Sequence, residues 1–178
     1  IRRYERNSQQ LREAITANPA DYASKDALAK NEIELNDFRL KTSIALVERY
    51  PNDFGYRFEL GTLLLAANRL EDAVQQLQYA QRNPKFRQPA LLAIGRAFSQ
   101  GGKYDLAIEQ LTAAKSEVPM MNDLKKDIIY SLGDTFEKMG KDKEAVDEYK
   151  IIYMADSGYR DVAKKINDFY ERQKGATA

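Results

Sequence analysis

"LAIGRAFSQGGKYDLAIEQLTAAKSEVP", Leu92 to Pro119, occurs in three related versions along the chain. The others are "FELGTLLLAANRLEDAVQQLQYAQRNP", Phe58 to Pro84, and "YSLGDTFEKMGKDKEAVDEYKIIY", Tyr130 to Tyr153. Gly61 and Gly95 stand 34 residues apart, and so do Ala73 and Ala107, Leu77 and Leu111, and Ala80 and Ala114. Gly133 follows Gly95 by 38, as Ala145 follows Ala107, so four residues are added around Met121 to Leu124, between units. A fixed period of this length signals a stack of supersecondary units, none of which can bury its apolar face alone.

Inside the middle unit, Leu91, Ile94 and Phe98, and then Ala107, Leu111 and Ala114, recur at helical steps. Each unit therefore holds two helices with one buried face apiece. Gly95 and Ala107 are small enough for those helices to approach closely, and Phe98 and Leu111 are expected to fill the space between one hairpin and the next. The intervening Gly101-Gly102-Lys103 lacks the GxxxxGK[ST] spacing of a phosphate loop and follows no predicted strand. Its sister units carry Ala67-Asn68-Arg69 and Met139-Gly140-Lys141. The shared requirement is a left-handed residue that ends the first helix, met by Asn68, Gly102 and Gly140.

This pattern resembles the tetratricopeptide repeat, of bacterial type. Leu60-Gly61, Ile94-Gly95 and Leu132-Gly133 match that family's Leu-Gly pair, Leu64, Phe98 and Phe136 its aromatic position, and Ala73, Ala107 and Ala145 its second-helix Ala. Arg57, Leu91 and Ile129 replace the family's first Trp, and Ile152 stands where a small residue is usual. The resemblance implies an all-α fold, a right-handed α-solenoid of stacked antiparallel helix hairpins. Three units are expected at 54–87, 88–121 and 126–159.

Composition narrows the function. The chain has 178 residues, 43% hydrophobic and 31% charged, enough for one domain with a real core. Its 28 basic and 27 acidic residues nearly cancel, which argues against nucleic acid and anionic membranes as partners. Cys and His are both absent, so disulfides, common zinc sites, thiol nucleophiles and imidazole chemistry are excluded. Asp123, Asp127, Asp134 and Glu137 are the carboxylates nearest to an acid–base cluster, but Lys125, Lys126 and Lys138 share their helix. No enzyme activity, catalytic residue, metal or cofactor is expected. No stretch reaches the roughly 18 apolar residues of a membrane span. The chain starts at Ile1 without Met, which reads as a segment of a longer protein. The compartment stays open, with the cytoplasm favoured.

Two flanking segments complete the reading. Tyr159, Val162, Ala163, Ile166, Phe169 and Tyr170 recur on one face of an amphipathic helix at 159–174, expected to cap the solenoid, with Asp156 or Ser157 starting it and a frayed tail at 175–178. Residues 1–53 form an N-terminal helical segment: a helix over 1–17 that Asn18-Pro19 ends, and then 20–50 without Gly or Pro. That second stretch reads as one long helix, or as a degenerate repeat turning near Asn36-Asp37. It either extends the solenoid or packs across its concave face.

The resemblance also implies which residues face the inner groove. They are Gly55, Phe58, Thr62 and Leu65 in the first unit, Pro89, Leu92, Arg96 and Ser99 in the second, and Asp127, Tyr130, Asp134 and Glu137 in the third. The family's carboxylate clamp of Lys and Asn is missing, since Phe58, Thr62, Pro89, Ala93 and Ser131 occupy its places. The candidate partner-binding residues are Phe58, Thr62, Leu65, Leu92, Arg96, Ser99, Tyr130, Asp134 and Glu137. Apolar at one end and acidic at the other, with Arg96 within reach of Asp134, such a groove suits a peptide or helix of another protein with apolar anchors and basic residues. The expected function is a non-enzymatic protein-binding scaffold. The alternative is a structural module of a larger chain, a homo-oligomer self-associating through its N-terminal helices.

Overall fold

The computed structural model describes residues 1–176, and everything regular in them is α-helix. The helices are α1 (Arg2–Ala17), α2 (Tyr22–Arg49), α3 (Phe54–Ala66), α4 (Leu70–Ala80), α5 (Pro84–Gln100), α6 (Tyr104–Glu117), α7 (Asp123–Lys138), α8 (Asp142–Ala155) and α9 (Val162–Ala176). Side chains start four of them. Asp21, Asp53, Asn83 and Asn122 each accept a hydrogen bond from a backbone N–H in the first turn that follows.

Each hairpin turns in the same way. Asn68, Gly102 and Gly140 have φ of 57°, 72° and 73°, the left-handed conformation expected at the end of each first helix. The next residue then folds its N–H back over the turn, from Arg69 to the Leu64 carbonyl, Lys103 to Phe98 and Lys141 to Phe136, at 2.8 to 2.9 Å. Three orphan carbonyls at one register position are satisfied by one device.

Close approach within the hairpins is just as regular. An added Cβ on Gly61, Gly95 or Gly133 would lie 2.6 Å from Leu77, Leu111 or Tyr149, on the second helix of the same unit. Leu111 was expected between hairpins, yet it seats first on Gly95 in its own and reaches the next through Ile128 and Leu132. Tyr149 takes the corresponding place in the third unit, fully buried with Ile129, Ala145, Ile152 and Val162. The large Ile152, where the repeat usually has a small residue, is thereby core.

Each helix packs on its neighbours in sequence, and α3, α5 and α7 also pack on one another directly. The second helices α4, α6 and α8 do not pack backbone against backbone among the described residues, and α6 reaches α8 through the Lys115–Glu148 ion pair at 2.6 Å. A stack that is tight along one row and splayed along the other bends toward the tight row, so α3, α5 and α7 form the concave face. The described part of α1 contacts only α2, and α2 contacts only α1 and α3. Residues 1–50 thus lengthen the row and leave the concave face open.

Helix α2 is continuous through Asn36-Asp37, as the long-helix reading has it and not as a degenerate repeat would turn. Three boundaries differ from expectation. Helix α5 begins at Pro84, so a unit border at 87/88 lies one turn inside it: Asn83 caps the helix and Pro84 supplies a preset first-turn φ. Helix α9 begins at Val162, not at 157–159, because Asp156 bonds the Gly158 N–H and Arg160 turns the chain at φ 47°. Gly175 and Ala176 belong to α9, while 177–178 of the expected tail lie outside the described residues.

Candidate functional site

The concave row carries three chemically different stretches. At the α3 end, Phe58 stacks on Phe86 of α5 with ring centroids 5.4 Å apart and planes at 28°. Phe58 and Leu65 are half-buried against the core of Val47, Leu60, Leu64 and Ile94. Thr62 spends its hydroxyl on the Glu59 carbonyl at 2.8 Å. Leu92 corrects the sequence reading: it is 5% exposed, packed with Leu91, Ile128 and Leu132, and a side chain so enclosed is core and cannot anchor a ligand.

Between α5 and α7 the contact is polar. Arg96 donates to Ser131 Oγ at 2.9 Å and to Asp127 Oδ1 at 3.2 Å. Ser99, 6% exposed, accepts from the Thr135 hydroxyl at 3.1 Å. The sequence set Arg96 against Asp134, but its carboxylate partner is Asp127, one helical stretch nearer the start of α7. Asp134 instead pairs with Lys138 of its own helix at 2.8 Å.

The acidic end is already occupied by the C-terminal segment of the chain. Asp127 Oδ1 also accepts from the Tyr159 hydroxyl, at 2.8 Å, and from the Arg160 guanidinium. Arg160 lies 4.6 Å from the centroid of the Tyr130 ring, and the Tyr130 hydroxyl donates to Asp161 at 2.7 Å. Glu137 pairs with Lys165 of α9. Burial, followed by the hydrogen bond to Asp127, pushes the Tyr159 phenol up to about 12. Burial and then the bond to Asp161 raise Tyr130 likewise.

Four of the nine nominated residues, Arg96, Ser99, Tyr130 and Asp134, line one cleft of about 340 Å³ together with Gln100, Ser131, Lys138 and Arg160. Phe58, Thr62 and Leu65 sit apart on α3, and Glu137 faces a separate cleft against α9. The sequence did not nominate Lys138 and Arg160, which change the sign of the site. Lys138 could have been found from its four-residue spacing to Asp134. Arg160 could not, because its position depends on a left-handed residue in a loop that reads as the start of a helix.

The electrostatic consequence is specific. Arg96, Lys138 and Arg160 ion-pair with two carboxylates, Asp127 and Asp134. The cleft lining itself carries three cations and one carboxylate, Asp134, while Asp127 and Asp161 stand behind it, bonded to Tyr159 and Tyr130. Among the described residues no group of three or more carboxylates is placed to hold a metal ion. No helix there is long and apolar enough to cross a membrane.

Comparison with known proteins agrees with this architecture. A tetratricopeptide-repeat family model matches residues 43–86, from the last turns of α2 to the start of α5. No curated protein matches the chain. Among solved structures, the chain is similar to TTC0263, a thermophilic tetratricopeptide-repeat protein of Thermus thermophilus, with a TM-score of 0.65 and 23% identity over 93% of this chain and 90% of that one. It is also similar to MamA, with a TM-score of 0.64 and 19% identity over 86% and 85% of the two chains. At these identities the likeness speaks to fold. Repeat spacing, hairpin geometry and shared architecture together give the chain a tetratricopeptide-like α-solenoid fold, with a tetratricopeptide-repeat match over residues 43–86.

Proposed function

We propose that the protein is a non-enzymatic scaffold that holds a segment of another protein along its concave face, with an acidic side chain of that segment in the cleft between α5 and α7. Tetratricopeptide solenoids are generally protein-interaction modules, and the open concave row here supports that use. The observation that carries the reading is the sharing of Asp127 and Asp134 among Arg96, Lys138 and Arg160. A basic ligand would meet carboxylates already neutralised from within, so the expected charge of the ligand reverses. Phe58 and Leu65 would take an apolar residue farther along the same segment.

Selection from a random displayed peptide library tests this. Enrichment of Asp or Glu by the wild-type protein, lost in Arg96→Glu/Lys138→Glu, supports the reading. Enrichment of basic peptides, or enrichment unchanged by the double variant, refutes it. Self-association through the N-terminal helices is the second reading, favoured by Tyr22 and Ile33, which stand exposed on one side of α2.

A further inference from the structure

Helix α2 has 28 residues and α3 has 13, about 42 Å and about 20 Å at the α-helical rise. Running back from the turn at 50–53, α3 covers only the C-terminal half of α2, where Leu40, Ile44 and Val47 join the core. Helix α1 packs along the N-terminal half on a different side, through Asn7 to Asn31 at 2.9 Å and Arg12 to Glu32 at 3.0 Å. The side of α2 that carries Leu40, Ile44 and Val47 continues past the end of α3, where its large apolar residues are Ile33 and Tyr22. Ile33 is 70% exposed and Tyr22 is 75% exposed.

Charges flank these residues in an ordered way. Asp26, Lys30, Asp37 and Lys41 follow one another at four- and seven-residue steps, on the same side as Ile33, with alternating sign. Asp26 and Lys30 have no ion-pair partner among the described residues, and Asp37 pairs only with Lys41 of its own helix, at 2.7 Å and well exposed. In an antiparallel pair of α2 helices with the two-fold axis between Ile33 and Glu34, Asp26 meets Lys41 of the second copy and Lys30 meets its Asp37. Symmetry repeats both pairs, so four ion pairs enclose the two Ile33 side chains. An in-register parallel pair would set like charge against like.

Resting on the second reading above, we propose that the protein forms a two-fold dimer through this face of α2, with a second copy of the same chain as the occupant. The interface continues the α2–α3 apolar contact, and its charge pattern is complementary to itself.

The test is sedimentation equilibrium of the wild type, of Lys30→Glu/Lys41→Glu and of Asp26→Lys/Asp37→Lys, each alone and in equimolar mixture, with helicity checked by circular dichroism. The wild type should dimerise, each double variant should dimerise about tenfold or more weakly, and the mixture should restore association as a heterodimer. A wild type that stays monomeric to its solubility limit overturns both the dimer and self-association. A dimer that neither variant weakens, or a mixture that restores nothing, overturns this register and leaves self-association through another face.

Discussion

Tyr159 and Asp127 are joined by a 2.8 Å hydrogen bond that ties the loop after α8 to the first turns of α7. Arg96 and Arg160 converge on the same carboxylate oxygen, so a single atom links α5, α7 and the segment that leads into α9. Asp127→Asn keeps the size and removes the charge. It should cost about 1–2 kcal/mol and release α9 first, read as faster hydrogen–deuterium exchange over 159–174 than over α5 or α6.

Alkaline pH should act through the same loop. A phenol whose folded pKa lies above its unfolded value of 10.0 binds its proton more tightly when folded, so its stabilising contribution is complete below pH 10 and is lost as pH rises to about 12. Urea unfolding across that window should show falling stability. Tyr159→Phe should flatten part of the decline and leave the part due to Tyr130 and Tyr149, whose phenols are also raised.

Gly95 and Leu111 share one volume. Gly95→Ala places a methyl 2.6 Å from Leu111 Cγ and should destabilise by about 1–3 kcal/mol, despite the better helix propensity of Ala. Leu111→Ala alone should cost about 2–5 kcal/mol. The double variant should cost less than the sum, because each change relieves the other. Thermal or urea unfolding of the four proteins completes the cycle.

Leu92 and Arg96 separate core from groove. Leu92→Ala should lower stability by about 2–4 kcal/mol. Arg96→Ala, at a side chain 36% exposed, should stay within about 1 kcal/mol of wild type while weakening any acidic peptide that library selection yields. Fluorescence anisotropy with such a peptide measures the second effect.

Tyr149 gives the opposite kind of result. Its ring is enclosed and its hydroxyl, near Glu137, makes no hydrogen bond of good geometry. Tyr149→Phe should therefore be neutral or stabilising by up to about 1 kcal/mol, measured as a shift in the urea midpoint.

The fold was legible because the information is local and repeated. Asn68, Gly102 and Gly140 mark the turns, and Gly61, Gly95 and Gly133 mark the close approaches, at positions that the period itself locates. Much of the site was not, for two physical reasons. Leu92 faces inward at a helical position that a flatter stack would expose, and burial there depends on how far α7 leans onto α5. Lys138, Arg160 and Lys165 read as solvated charge because a pattern of alternating polar residues does not say which of them folds back onto its own chain.

The two inner joints of the curve share an apolar core and differ in what they add to it. Between α3 and α5 lies the stacked pair Phe58 and Phe86, while between α5 and α7 lie Arg96, Ser99, Ser131 and Thr135 exchanging hydrogen bonds. Ring stacking tolerates sliding, whereas a set of directional bonds holds one spacing until water or a ligand takes its places. Curvature in this solenoid should accordingly shift smoothly at the first joint and stepwise at the second.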